Sequence, residues 1–271
     1  MVDRYAVIGS KSAVEASLSP KVHALFAQQT DQQIEYASIP ATLENFPDII
    51  KQVIASGMRG VNITSPFKEA AYEIANIHDR FSLRSQVANT LDFKHGNVKS
   101  YATDGQGLVS DLKDKRVELD EKKVLILGAG GVTSAIVHSL LESKVRKIVI
   151  ASNNISRGLK VGRTDLTKKT VFNFYHLLEP GFDIIINTRL PRADTGVPKD
   201  FPKEVLRGAF CYDINYTKDL PFFDLAVKYG RAVSDGLGML VHQAAESFYI
   251  WRKVMPETQP VINYLTKQRE F

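Results

Sequence analysis

Residues 123–142, KVLILGAGGVTSAIVHSLLE, constrain this chain more than any other stretch. An apolar run breaks into a glycine cluster, and a helical pattern of apolar residues follows at once. Strand, glycine turn and helix in that order open a dinucleotide-binding unit. Glycine lets the backbone approach a pyrophosphate, which the free N–H groups at the helix start then hold. The strict G-x-G-x-x-G spacing is not met, because Thr133 stands at the third glycine site. An ordinary tight turn therefore stays open beside the dinucleotide reading of Gly128, Ala129, Gly130 and Gly131.

The alternation around this stretch predicts α/β architecture with largely parallel sheets. Before it, residues 5–9, 34–39 and 60–64 read as strands, with helical spacing in SPKVHALFAQQ and TLENFPDIIKQVIASG. VANTLDF, HGN and VKSYATD read as a hairpin, and GQGLVSDLKD as a helix. The charged KDKRVELDEKK then reads as the exposed boundary of a new unit. From residue 123 the runs KVLILG, KIVIAS, TVFNFY, FDIIIN and AFCYDI suggest a Rossmann-like doubly wound sheet. In the last part, Leu240, Val241, Ala244, Phe248 and Trp251 are expected to share one buried helix face.

Composition narrows the class. An apolar fraction of 44% and a charged fraction of 24% suit a globular chain rather than a disordered one. No apolar run approaches the eighteen or so residues that span a bilayer, and MVDRYAVIGS leads straight into a strand, so a cytoplasmic protein without membrane partners is expected. The single cysteine, Cys211, excludes an internal disulfide and reads as a small core residue. The six histidines show no ligand spacing, so no metal site is expected, and no G-x-S-x-G elbow is present. The net charge of +5 is densest in RGLKVGRTDLTKK, residues 157–169. Without interleaved aromatics this reads as a solvated face or a cofactor-phosphate rim rather than a nucleic-acid site.

Several polar positions could carry chemistry. In NITSPFKEAA, Ser65 reads as an N-cap and Pro66 as the first helical residue, which puts Lys68 in a first turn. A cation there opposes the helix dipole, so the amine exchanges protons readily unless a carboxylate answers it. A surface lysine is the simpler alternative. In SLSP, Ser19 reads as a cap before Pro20, with Ser17 adding a second hydroxyl suited to a carboxylate. Asp104 begins another helix, as a cap or as a functional acid. Asn89 either orients a ligand hydroxyl or closes the hairpin, and Gln243 is either a buried hydrogen-bonding group or solvent-facing.

Their order along the chain resembles one family. S-x-S-P, N-x-T-x-P-F-K, N-T, T-D-G, G-A-G-G, D-x-x-Y and D-G-x-G-M-L-x-x-Q look like shikimate dehydrogenase, over nearly the whole length. The resemblance implies a substrate domain, residues 1–103 completed by 238–271, and an NADP-binding Rossmann domain, residues 104–237. It implies reversible oxidation of shikimate at the 3-position to 3-dehydroshikimate, with Lys68 and Asp104 as the catalytic pair. Ser17 and Ser19 match the carboxylate clamp, while Thr64, Asn89, Tyr216 and Gln243 match residues that hold the ring hydroxyls or the carboxylate. Gly128 to Val132, that is Gly128, Ala129, Gly130, Gly131 and Val132, match the pyrophosphate loop. Ile214, Gly236 and Met239 match positions beside the nicotinamide. A monomer or homodimer is expected. The alternatives are a quinate/shikimate dehydrogenase accepting NAD, and a non-catalytic sensor of the same ligands, against which the intact Lys68 and Asp104 argue.

The departures are equally specific. The loop GSKSAVEA before the serines lacks the family's Pro and His and is two residues longer. Ala102 replaces an asparagine, and Arg189, Pro191 and Arg192 replace a run of small residues. The family's N-R-T-x-x-R, whose arginines flank the adenine and the 2′-phosphate, stands here as Ser152-Asn153-Asn154-Ile155-Ser156-Arg157. Asn153 marks a missing arginine and Arg157 a retained one, and no acid is present to hold an NAD ribose. NADP is thus the expected cofactor, NAD the alternative, with a looser grip and slower turnover.

Overall fold

The computed structural model describes residues 2–163, 165, 167–189, 197–217 and 219–269. Pro191 and Arg192 lie outside them. The chain forms two compact units, Met1–Leu108 with Leu240–Phe271, and Val109–Met239.

The first unit begins with β1 (Asp3–Gly9), α1 (Lys11–Glu15), α2 (Ser19–Gln29), β2 (Ile34–Pro40), α3 (Phe46–Ala55) and β3 (Gly60–Ile63). It continues through α4 (Lys68–Ile74), β4 (Ile77–His78), α5 (Arg80–Ser85), β5 (Thr90–Lys94) and β6 (Asn97–Tyr101). The strands form one mixed sheet in the order β2-β1-β3-β5-β6-β4. β1 pairs in parallel with β2 and β3, while β5 runs antiparallel to β3 and β6. The predicted hairpin is present: His95 and Gly96 both take positive φ, which suits a tight turn between twisted strands. Tyr5 to Ile8 are all buried, because the central strand is covered on both faces. One face of the sheet packs Ile8, Val61, Ile63 and Leu91 against Phe46, Ile50 and Val53 of α3 and against Phe67.

The second unit carries β7 (Lys123–Leu127), β8 (Lys147–Ala151), β9 (Thr170–Asn173), β10 (Ile184–Asn187), β11 (Phe210–Asp213) and β12 (Ala232–Ser234). With them run α6 (Asp104–Asp114), which begins in the first unit, α7 (Gly131–Glu142), α8 (Ile155–Arg163) and α9 (Pro221–Tyr229). All its strand pairs are parallel, in the order β12-β11-β10-β7-β8-β9. This is the doubly wound order, and it reverses between β7 and β10, where such sheets open a crevice for a ligand. Val124 to Leu127 are fully buried, which is why β7 reads as an unbroken apolar run. Cys211 is buried, and its thiol is pushed up to about 12 by that burial, as suits a core residue.

The chain closes with α10 (Leu237–Arg252) and α11 (Thr258–Arg269). Val241, Ala244, Phe248 and Trp251 form the buried stripe of α10, but Leu240 is only half-buried, so the stripe starts one residue later than its spacing suggested.

Both serine-proline expectations need correction. α2 begins at Ser19 with Leu18 at the cap position, so Ser19 is the first helical residue and not the cap. Pro20 is tolerated second because its missing N–H is one the helix start leaves unpaired anyway. Before α4, the Phe67 N–H bonds the Thr64 carbonyl at 3.1 Å and closes a turn through Ser65 and Pro66. The helix therefore starts only at Lys68, and Ser65 caps nothing. The longer loop before Ser17 contains a helix of its own, α1.

Candidate active site

Lys68, the first residue of α4, and Asp104, the first of α6, are brought together in the first unit. Lys68 Nζ donates to Asp104 Oδ2 at 2.5 Å, and both side chains are about nine-tenths buried. The carboxylate that a cation at a helix start requires is thus supplied by a residue 36 positions away. The other carboxylate oxygen accepts from Asn89 Nδ2 at 3.2 Å.

Asn89 is buried and ties the pair to its surroundings. The same Nδ2 lies 2.8 Å from Thr103 Oγ1 and 3.0 Å from Gln243 Oε1, so its two hydrogens are shared among three acceptors, and Asn89 Oδ1 accepts the Thr103 N–H at 2.7 Å. Gln243 takes the buried alternative, and its own amide donates to the Leu240 carbonyl at 2.9 Å. With its two amides committed in this way, the cluster holds Lys68 in one place.

A second stretch of the same polar network reaches the serines. The Ser19 side chain lies beside the Tyr36 hydroxyl, which donates to Asn62 Oδ1 at 2.7 Å. Asn62 Nδ2 donates to Thr90 and Ser247, both at 3.0 Å, and Ser247 lies 3.4 Å from the hydroxyl of Thr103. His23 Nε2 faces the same Asn62 Oδ1 at 3.1 Å, so that nitrogen carries the proton. Burial pushes the His23 imidazole down to about 3. Ser17 Oγ accepts the Ser19 N–H at 3.2 Å, leaving its own proton to donate. Thr64 directly follows β3, half-buried, with its N–H on the Ile8 carbonyl at 3.0 Å.

Tyr36, Asn62 and Thr103 were missed in the sequence. Asn62 stands two residues before Thr64 and therefore shares its strand face. Thr103 precedes Asp104 directly, but nothing local marked Tyr36.

In the second unit, Gly128 follows β7 at the point where the strand order reverses. Its φ of +112° is one that L side chains rarely adopt, and a Cβ there would overlap the Thr188 hydroxyl at the end of β10. Thr188 Oγ1 bonds the Leu127 carbonyl at 2.9 Å and meets Thr133 Oγ1 at 2.8 Å. Thr133 also donates to the Gly128 carbonyl at 3.1 Å, so the threonine at the third glycine site braces the loop. Gly130 is the cap of α7 without a side-chain partner, and the space over its Cα is open. Ala129, Gly131 and Val132 are partly exposed around that opening. These features suit a pyrophosphate better than an ordinary turn.

Twenty-odd residues on, Asn153 and Arg157 are both exposed beyond β8. Asn154 Oδ1 accepts the Arg157 N–H at 3.0 Å, so Asn154 caps α8 and fixes the backbone beneath the arginine. Ile214 and Tyr216 follow β11, half-buried, and Gly236 and Met239 are buried at the start of α10. Asp213, ahead of them, accepts on one oxygen from Asn187 Nδ2 and from the N–H and Nδ2 of Asn215. Its carboxyl is pushed up to about 6, chiefly by burial. Among the described residues no cluster of three His, Cys, Asp or Glu could hold a metal, and no helix is long and apolar enough to cross a membrane.

A buried lysine–carboxylate pair in one unit and a glycine-lined helix start at the switch point of the other are the equipment of a nucleotide-dependent dehydrogenase. Residues 7–91 match the shikimate dehydrogenase substrate binding domain, 111–188 match shikimate/quinate 5-dehydrogenase, and 236–263 match the shikimate 5′-dehydrogenase C-terminal domain. The shikimate dehydrogenase (NADP(+)) of Janthinobacterium sp. (strain Marseille) is 39% identical over 269 residues, covering 97% of each chain. The crystal structure of an Ael1 enzyme from Pseudomonas putida superimposes with a TM-score of 0.88 at 37% identity, over 97% of this chain and 98% of that one. Shikimate 5-dehydrogenase from Thermus thermophilus, in complex with NADP(H) and shikimate, gives 0.85 at 26% identity, over 97% and 98%. The chain belongs to the shikimate dehydrogenase family.

Proposed function

We propose that this protein catalyses the reversible, NADP-dependent oxidation of the 3-hydroxyl of shikimate to give 3-dehydroshikimate, in the cytoplasm, as a monomer or homodimer. The observation that carries the reading is the Lys68 to Asp104 contact of 2.5 Å inside a buried, hydrogen-bonded cluster. Lys68 takes the proton from the substrate hydroxyl, and Asp104 holds the amine in line and balances its charge once protonated. Asn89 and Gln243 orient the ring hydroxyls beside it, together with Thr64. Ser17 and Ser19 receive the carboxylate, with Tyr216 as a further partner. Residues 1–103 with 238–271 serve as the substrate domain and residues 104–237 as the cofactor domain.

The open space over Gly130 and the uncapped start of α7 fit a dinucleotide pyrophosphate, with Gly128, Ala129, Gly131 and Val132 along it. Arg157 answers the 2′-phosphate, and Ile214, Gly236 and Met239 border the nicotinamide. NADP, when bound, supplies the acceptor for the hydride that leaves the substrate carbon. Asn153 provides no cation, so the hold on NADP is looser and turnover slower than with two arginines. The same residue favours, as a second reading, a quinate/shikimate dehydrogenase that also accepts NAD.

Absorbance of the reduced cofactor, followed with shikimate and with quinate, each against NADP and NAD, tests both. Shikimate with NADP should give the highest kcat/KM. Quinate with NAD giving the highest value would establish the second reading, and no turnover with any pair would end both.

A further inference from the structure

The start of α10 is built in an unusual way. Met239 is its third residue, so its N–H is among those an α-helix leaves without an internal partner. Such donors are ordinarily satisfied by a side chain at the cap, and Asp235 does this for the Leu237 N–H at 3.1 Å. The Met239 N–H instead faces the phenol oxygen of Tyr212, a fully buried residue of β11. The proton of that hydroxyl goes to Asp111 Oδ2 of α6 at 2.6 Å. Asp111 is itself buried, and its other oxygen accepts from Lys115 Nζ at 2.6 Å. Thus the carboxylate turns the phenol so that its lone pair faces the Met239 N–H. The segment between is held equally close: a Cβ on Gly238 would overlap the Asp111 carboxylate, and Gly236 N–H bonds the Asn215 carbonyl at 3.0 Å.

We propose that Asp111 and Tyr212 are positioning residues for the nicotinamide end of the cofactor, acting through the backbone of Met239. The inference rests on the functional reading above, which puts Met239 beside that ring. A methionine side chain has three rotatable bonds, so its sulfur and methyl are presented in one place only if the backbone beneath is fixed. Tyr212 serves as a long-range helix cap and Asp111 as the group that orients it. The charge of Asp111 also suits the positive end of the α10 dipole. Gly238 follows from the same geometry, because any side chain would displace the carboxylate.

The test compares wild type with Tyr212→Phe, Gly238→Ala, Asp111→Ala, Asp111→Asn and the double variant Asp111→Ala/Gly238→Ala. NADPH dissociation constants come from fluorescence titration, KM for NADP and for shikimate from steady-state kinetics, and folding from thermal unfolding. Tyr212→Phe and Gly238→Ala should weaken NADPH binding and raise KM for NADP by about tenfold, the effect of losing one buried hydrogen bond, with KM for shikimate nearly unchanged. Asp111→Asn retains an oxygen for the phenol proton and should bind NADPH more tightly than Asp111→Ala. In the Asp111→Ala background Gly238→Ala should cost little more, since the overlap is gone.

Wild-type protein that binds NADPH while the variants bind it as tightly would overturn the inference and leave the functional reading intact. Equal rises in KM for NADP and shikimate would overturn it too, since they report general damage. Should Tyr212→Phe fail to fold, the comparison of Asp111→Asn with Asp111→Ala decides alone, and equal NADPH affinities there overturn the inference. Wild-type protein that binds no NADPH would overturn the functional reading and this inference together.

Discussion

Lys68 Nζ and Asp104 Oδ2 lie 2.5 Å apart with both side chains about nine-tenths buried, so each is the other's chief counter-charge. Removing the amine should remove the proton acceptor: Lys68→Met is expected to lower kcat by about a hundredfold or more, with KM for shikimate changed only a few-fold. The same change strands a buried carboxylate, which costs about 3 to 5 kcal/mol. Adding Asp104→Asn should recover most of that stability in denaturant unfolding while activity stays lost. A double variant no more stable than the single one would mean that the two charges do not balance one another.

His23 sets an acid limit on the first unit. It is fully buried, stacked on Tyr36 with ring centroids 4.4 Å apart, and its imidazole is pushed down to about 3 from 6.5 by burial. Between those values the unfolded chain binds a proton that the folded one refuses. Stability is therefore fully present above about pH 6.5 and falls as the pH drops toward 3, by up to about 5 kcal/mol. His23→Phe should flatten that part of the stability curve, at some cost at pH 7 from the lost bond to Asn62. An unchanged slope in urea unfolding between pH 6 and 4 would remove His23 from the account.

Asp213 works in the opposite direction. Its carboxyl is raised from 3.8 to about 6, so the folded state holds the proton more tightly than the unfolded one. Its ionisation therefore costs stability increasingly as pH rises from about 4 to 6, reaching up to about 3 kcal/mol above that. All three donors meet its Oδ1, which asparagine would keep. Asp213→Asn should accordingly stabilise the protein at pH 7.5 and make little difference at pH 4. Destabilisation at pH 7.5 would show that the ionised form is the better partner for Asn187 and Asn215.

The legible parts of this molecule are those whose signal is local. The run Val124–Leu127, the glycines after it and the helix behind them follow each other in sequence, and buried strands in a parallel sheet need an unbroken apolar run. Lys68 was legible through its odd place at a helix start, whereas its partner lies 36 residues away. The bridge from Ser19 through Tyr36 to Asn62 was not legible, because the three residues come from α2, β2 and β3 and meet only when β1 pairs between β2 and β3. Caps were misplaced by one residue at Ser19 and by two at Ser65, since the bond from Phe67 to Thr64 that delays α4 depends on the end of β3. β4 has only two residues and pairs with β6 alone, too short for any period to show.

Cofactor choice turns on the end of β8. Asn154 caps α8, and Gly158 lies against the Phe172 ring, where a Cβ would not fit, so the first turn of α8 is fixed with Arg157 on its exposed side. A phosphate at this helix start would meet both the guanidinium and the positive end of the helix dipole. Arg157→Ala should therefore raise the dissociation constant for NADP by about tenfold and leave that for NAD nearly unchanged, since one charge-assisted hydrogen bond contributes roughly 1.5 to 3 kcal/mol. Asn153→Arg places a second cation four residues before the first and should tighten NADP by a similar factor, again without effect on NAD. Both residues are exposed, so raising the salt concentration should erode the gain. Isothermal titration with the two cofactors at low and high salt measures each of these quantities. Equal losses for NADP and NAD in Arg157→Ala would assign the arginine to the adenine or to the fold, and the 2′-phosphate would need another partner.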